Sequence, residues 1–468
     1  MEDDLVKEAS QPQPSLPPFG KPMLKEFLID PAYRNMNNGS FGTHPRHIQT
    51  VLRSYQDEAE ARPDPFIRWT YIDRLKESRQ AIADLINAPL SCTVFVTSAT
   101  VGINTVLRNL TWAPDGLDEI LYFSTAYGGC AKTIDYVVDT RGGLVSSRGI
   151  PLAYPLEDDE IVVLFREAVA KCRAEGKRPK ICLFDVVTSQ PGVPFPYQAV
   201  AAACRELGIL SLIDGAQGVG LVPLDLTATD PDFFVSNCHK WLHVPRASAV
   251  FYVPERNQHL LASTVPTSHG YVPRSGAQRH NPLPLTGESQ FVRAFAFVGT
   301  ADHSPTLCVK HAIEWRKSIG GEDRIIEYLW ALAKEGGKKA AAALGTFVLD
   351  NKSGTLTKCG MVNVALPIVM GAADAADAET TSVGPDGTVA VPEEEAFAAV
   401  SWMLKALVND YRTFVALFWH QGRWYMRISA QIFLDETDFE WIGNTMKELC
   451  QRVGKQEYKV KAEEEATE

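Results

Sequence analysis

Four times in the first half of the chain a short apolar run leads into a stretch with helical periodicity. The runs are TVFV (93–96), EILYF (119–123), ICLFDVV (181–187) and LSLID (210–214). Unbroken apolar runs of this length read as strands buried on both faces. The stretches between them, such as GINTVLRNL and PYQAVAAACREL, repeat their apolar positions at helical spacing. Such alternation leaves the fold little choice. Parallel strands need crossover connections, and the crossover helices cover both sides of the sheet. The expected class is α/β, with a large domain built on a mostly parallel sheet. Further on, MVNVALPI (361–368) reads as another strand, and FVALFWHQGRWYMRISAQIF (414–433) as a hairpin turning at Gln421–Gly422. With helices expected over 307–319, 323–344 and 435–453, these form a smaller C-terminal α+β domain. The expected division is a disordered arm over 1–30, a large domain over 31–305 and a small domain over 306–468. An acidic, Ala/Gly-rich insertion at about 371–395 reads as an exposed loop.

In sheets of this kind ligands bind beyond the carboxyl ends of the strands, so the polar residues there come first. LSLID ends in Asp214. The next apolar run, FFVSN, leads into Cys238, His239, Lys240 and Trp241, which places Lys240 26 residues after Asp214. A lysine held near a buried strand end must find a partner or react. One reading is a strand-end aspartate and a solvated lysine, with no chemistry. The other is pyridoxal phosphate (PLP): the lysine forms a Schiff base, and the carboxylate keeps the pyridine nitrogen protonated. TVFV is followed by TSATVGIN. Thr97, Ser98 and Thr100 there form either an ordinary helix cap or, with free N–H groups and the helix dipole, a phosphate site. Thr188, Ser189 and Gln190 end the ICLFDVV run. Tyr127 follows EILYF and is either a core residue or a ring for stacking.

Five motifs carry a resemblance: NNGSFG (37–42), SATVGIN (98–104), DGAQGVG (214–220), SNCHKW (236–241) and WYMRIS (424–429). Together they resemble the class V aminotransferase family of fold-type I PLP enzymes, from about residue 33 to 453. Within it the pattern looks most like the isopenicillin-N-epimerase-like branch, and in that branch the fungal C–S lyases acting on hercynylcysteine sulfoxide. The resemblance implies Lys240 as the Schiff-base residue, with Asp214 at the ring nitrogen and Tyr127 stacked on the ring as a candidate acid or base. It implies that Ala99 and Thr100 hold the phosphate, and that Ser189, Gln217, Asn237 and His239 contact the cofactor. Gly299 and Thr300, in the FVGT turn, are implied to reach the phosphate of a neighbouring subunit, which makes the protein a homodimer. Asn38, Gly39 and Arg427 are implied to bind the substrate carboxylate.

A small-molecule amino-acid substrate, a cysteine S-conjugate, is therefore expected. β-Elimination would give a sulfur product, pyruvate and ammonia. Epimerisation, transamination and a non-catalytic scaffold are the other readings. A cysteine desulfurase is disfavoured, because no cysteine stands in a Gly-flanked loop. Trp69, Tyr71 and Asp64 are candidates for a quaternary ammonium group. The net charge of −11 disfavours nucleic-acid and anionic-membrane partners. The nine cysteines show neither CxxC nor metal-ligand spacing, so no metal is expected and a reducing, cytoplasmic location is. No apolar run is long enough for a membrane span, and the N-terminus resembles no targeting signal.

Overall fold

A computed structural model describes residues 16–277, 279–284, 286–370, 381–384 and 387–459. The large sheet has seven strands: β1 (Thr93–Val96), β2 (Asp118–Phe123), β3 (Val145–Ile150), β4 (Arg178–Asp185), β5 (Leu210–Asp214), β6 (Phe233–Asn237) and β7 (Ala249–Tyr252). Their order is β1-β7-β6-β5-β4-β2-β3. Only β7 runs antiparallel, against both of its neighbours. The sheet is thus mostly parallel, as the alternating runs require. Period-2 geometry splits each strand between two cores. Leu121, Phe123, Phe184, Ile213 and Phe234 face one core, with the helices Asp158–Ala174 and Tyr197–Leu207. Ile120, Leu183, Leu212, Phe233 and Val235 face the other, with the helices Ala99–Asn109 and Gly128–Thr140.

A second sheet follows in the chain: β8 (Met361–Met370), β9 (Ser382–Val383), β10 (Val389–Val391), β11 (Ala416–His420) and β12 (Arg423–Ser429), in the order β9-β10-β8-β12-β11. The β11–β12 hairpin turns through Gln421 and Gly422, both at positive φ. The helices Gly321–Leu344 and Glu436–Gly454 pack on each other and on β8. No helix among the described residues is long and apolar enough to cross a membrane.

Several expectations need correction. Residues 16–30 are not a loose arm. Lys21–Glu26 forms a 3-10 turn, and Phe27 is fully buried against His243, Trp315 and Phe433. Met23 and Phe27, four apart, give this segment an apolar side that outweighs its prolines. Residues 1–15 lie outside the described residues. The boundary at 305/306 also moves. The helix Ser304–Ser318 packs on the large-domain helices Tyr71–Leu85 and Arg46–Ala61, so the second unit starts at Gly321. Of the insertion, 371–380 and 385–386 lie outside the described residues. The rest is not plain loop, because β10 adds in parallel to β8 and β9 pairs with β10. RPDPFIRWTYID continues as helix through Pro63–Pro65 and a π-turn, Phe66–Thr70. Pro63 and Pro65 lie in a first turn, where few N–H bonds are lost. The edge strand β3 has no clear signal in the sequence, because its Ser146, Ser147 and Arg148 are half-exposed.

Candidate active site

Three parallel strands end side by side: β4 at Asp185, β5 at Asp214, β6 at Asn237. Asp185 and Asp214 are register partners, and Asp214 pairs with Val235. Both aspartates are buried. The strand β6 passes into a single helical turn, Cys238–Trp241, which carries Lys240.

Burial pushes the Lys240 amine down to about 8. Arg427 pushes the same way, and Asp214 and Asp185 oppose it. Lys240 is therefore closer to a neutral amine than an exposed lysine is. Burial pushes the Asp214 carboxyl upward, against the Ala216 N–H, Lys240 and Cys130. Its Oδ1 accepts from Ala216 N at 2.9 Å, and its Oδ2 from the Cys130 thiol at 3.4 Å. His239 is held neutral, its pKa lowered to about 4 chiefly by burial. Its Nδ1 lies 3.0 Å from the Ser248 carbonyl, which can only accept, so Nδ1 carries the proton.

The NNGSFG segment, expected as an irregular loop, is a short helix, Asn38–Phe41. It fastens two parts of the site together. Asn38 Nδ2 donates to the Lys240 carbonyl at 3.0 Å, while its buried Oδ1 has no partner among the described residues. Asn37 Oδ1 and Ser40 Oγ accept from Arg427 Nη2 at 3.0 and 2.9 Å. Arg427 Nη1 donates to the Ser189 carbonyl at 2.7 Å. The Arg427 side chain is thus buried, oriented by neutral groups only, and paired with no carboxylate among the described residues. Burial lowers its pKa to about 10. A buried guanidinium without an anion is costly, and its planar fork matches a carboxylate by two parallel hydrogen bonds.

The helix Ala99–Asn109 starts beside β6. Ser98 caps it through Val101 N, and Asn237 Oδ1 takes the Ala99 N–H at 2.8 Å. The Thr100 N–H and hydroxyl make no hydrogen bond among the described residues. Expected phosphate-holding groups therefore divide: Ala99 is occupied by Asn237, and Thr100 is available. Gln217 is engaged at both ends, accepting from Trp241 Nε1 at 2.6 Å and donating to the Gly39 carbonyl at 2.7 Å. It ties the NNGSFG segment to the lysine turn. Tyr127 heads the helix Gly128–Thr140, is 52% exposed, and its hydroxyl makes no hydrogen bond among the described residues. Gly299 and Thr300 are exposed, and the Gly299 carbonyl lies 3.2 Å from His303 Nε2. Tyr71 is buried, donating to the Ala296 carbonyl, and Asp64 pairs with Arg68. Tyr71 is thus closed off from a quaternary ammonium group, and Asp64 lies in a surface ion pair.

Sequence reasoning missed Asn37, Ser40, Cys130 and Asp185. Asn37 and Ser40 lie inside a motif already singled out. Asp185 ends its strand as Asp214 does, and that shared pattern was the available signal.

The donor set fits PLP: an amine for covalent attachment (Lys240), a buried carboxylate for the ring nitrogen (Asp214), an exposed ring (Tyr127), and helix-terminal donors for the phosphate (Thr100). Comparisons agree. The aminotransferase class-V model matches residues 48–274. The L-cysteine desulfhydrase-like protein lolT1 of Epichloe uncinata is 37% identical, over 93% of this chain and 97% of its own. The hercynylcysteine sulfoxide lyase of Schizosaccharomyces pombe is 32% identical, over 92% and 98%. The solved complex of the cystine C–S lyase C-DES with cysteine persulfide shares the fold, with a TM-score of 0.68 at 17% identity, over 91% and 99% of the two chains. The chain therefore belongs to the class V aminotransferase family of fold-type I PLP enzymes, as a PLP-dependent carbon–sulfur lyase.

Proposed function

We propose that the substrate is a cysteine S-conjugate, hercynylcysteine sulfoxide, cleaved by β-elimination in ergothioneine biosynthesis. One observation carries the reaction: Arg427 has no carboxylate partner among the described residues, and its charge bears on the same lysine, Lys240, whose pKa burial lowers to about 8. An α-amino acid gripped through its carboxylate by Arg427 turns its Cα proton toward that amine. PLP, when bound, draws electrons from Cα, so that this proton can leave and the β-substituent be expelled. Lys240 takes the Cα proton. The C–S bond breaks and the sulfur departs with the electron pair. In this proposal Tyr127, whose hydroxyl makes no hydrogen bond among the described residues, gives that sulfur a proton. From a sulfoxide the leaving group is a sulfenic acid. Adding one water to the remaining three-carbon unit gives pyruvate and ammonia.

The substrate assignment is supported by the near full-length likeness to the Schizosaccharomyces pombe lyase. A second reading, L-cysteine itself, is favoured by the lolT1 likeness. A desulfurase reading gains no support, because all nine cysteines are free and buried, so none is displayed to carry a persulfide. The same thiols support a cytoplasmic location. Purified holoenzyme should release pyruvate from hercynylcysteine sulfoxide at a kcat/KM at least about tenfold above that for L-cysteine. The reverse preference would select the desulfhydrase reading. Racemised or transaminated substrate without pyruvate would reject elimination.

We further propose a homodimer in which Gly299 and Thr300 reach the phosphate of the neighbouring subunit. Their exposure supports this, with the Gly299 carbonyl held by His303 at 3.2 Å. Dilution to monomer should then release PLP, whereas a monomer that keeps its full cofactor would rule the arrangement out.

A further inference from the structure

Asp185 has no assigned role. It ends β4 in register with Asp214 at the end of β5. Residues directly across a parallel pair point to the same face, so the two carboxyl groups share one side of the sheet. Both are buried, at 5% and 3% exposure. Their hydrogen bonding differs sharply. Asp214 accepts from the Ala216 amide and the Cys130 thiol. The Asp185 carboxyl accepts from nothing among the described residues. Donors stabilise a carboxylate anion, and two buried anions on neighbouring strands repel.

We propose that Asp185 is a positioning residue for the ring-nitrogen site: it holds a proton beside Asp214, so that the pair carries one negative charge and Asp214 keeps it. This rests on Asp214 as the cofactor's ring-nitrogen partner and adds a neutral acid that fixes where that charge lies. The charged and titratable groups facing Asp185 are Asp214 from β5, Lys240 from the turn after β6, Cys130 from the helix Gly128–Thr140 and Tyr154 from the segment after β3. Tyr154 is buried with its hydroxyl unpartnered, so it supplies no donor to an ionised Asp185 either. Burial and Asp214 push the Asp185 carboxyl well above the usual range, and only Lys240 opposes.

The direction of the pH effect follows. A carboxyl with a raised folded pKa binds more protons in the folded than in the unfolded chain. Folding stability therefore falls as pH rises from the ordinary carboxylate range through the raised value. Asn is the neutral isostere of a protonated aspartate. The PLP-free Asp185→Asn protein should melt above wild type at pH 8, with the gap closing toward pH 5. The infrared band of a protonated carboxyl should be present in wild type at neutral pH and lost in the variant. In the holoenzyme, Asp185→Asn should keep PLP affinity within about threefold, whereas Asp214→Asn should disturb the cofactor's absorbance spectrum. Parallel melting curves across this range, no protonated-carboxyl band, or a PLP affinity loss in Asp185→Asn of tenfold or more would each overturn the proposal. None of these measurements uses the sulfur substrate, so they stand apart from the substrate assignment.

Discussion

The Lys240 amine is tuned by what surrounds it. Burial and Arg427 lower its pKa to about 8, and Asp214 limits the fall. The neutral amine is the form that attacks an aldehyde. Uptake of PLP by apoenzyme should therefore accelerate as pH rises through about 8. Asp214→Asn removes a nearby anion and should move that midpoint down. Arg427→Met removes a nearby cation and should move it up. Stopped-flow absorbance reads both, and a midpoint fixed in both variants would assign the tuning to other groups. Tyr127 separates into two roles. If its hydroxyl protonates the leaving sulfur, Tyr127→Phe should lower kcat roughly 10²-fold, the usual cost of losing a general acid, with KM little changed. A kcat equal to wild type would leave Tyr127 a stacking ring only.

At the scale of the elements, the site depends on how closely segments approach. Gly42 ends the short helix Asn38–Phe41 at φ +64°, and a Cβ there would lie 1.7 Å from the His239 carbonyl oxygen. The obstacle is backbone of the lysine turn and cannot swing aside. Gly42→Ala should cost at least about 2 kcal/mol in urea unfolding and loosen PLP. Gly192 answers to a different neighbour: a Cβ there would meet Arg427 Cδ at 2.7 Å. That obstacle is a side chain, the one proposed to grip the substrate carboxylate. Gly192→Ala should raise KM about tenfold, as expected when a substrate-binding group is displaced, at a smaller stability cost than Gly42→Ala. A large stability loss with normal KM would show that the backbone at Gly192 is the constraint.

Across the whole molecule, Arg316 joins the lysine turn to the start of the second unit. It is fully buried and donates to the Trp241 carbonyl at 2.8 Å and the Gly220 carbonyl at 3.1 Å. It pairs with Glu322, at the head of the long helix Gly321–Leu344, through bonds of 2.5 and 2.6 Å. His243 beside it is kept neutral by burial and by the Arg316 charge. Removing one partner of a buried pair strands the other. Arg316→Leu takes the partner from Glu322 and from the Gly220 carbonyl and should cost about 3–5 kcal/mol, with weaker PLP retention. Urea denaturation of apo- and holoenzyme tests both. An undiminished midpoint would mean that water satisfies these groups.

Local pattern alone determined much of this protein. Apolar runs with intervening helices dictated a mostly parallel sheet, because the crossover requirement and two-sided burial leave few alternatives. The same runs placed Asp214 and Lys240 at strand ends, where parallel sheets bind ligands. Thr100, Tyr127 and Arg427 came forward through short motifs that resemble a family, each lying beside its own strand or turn. Tertiary structure decided what depends on neighbours distant in the chain. Sequence could not reveal that Asn37 and Ser40 hold an arginine 387 or more positions away, or that Asn237 takes the Ala99 amide. Nor could it show that residues 16–30 pack, because the contacts of Phe27 come from His243, Trp315 and Phe433. Asp185 lay in plain view at the end of an apolar run. Only the register of β4 against β5 sets it beside Asp214, and only burial without donors separates the neutral acid from the anion.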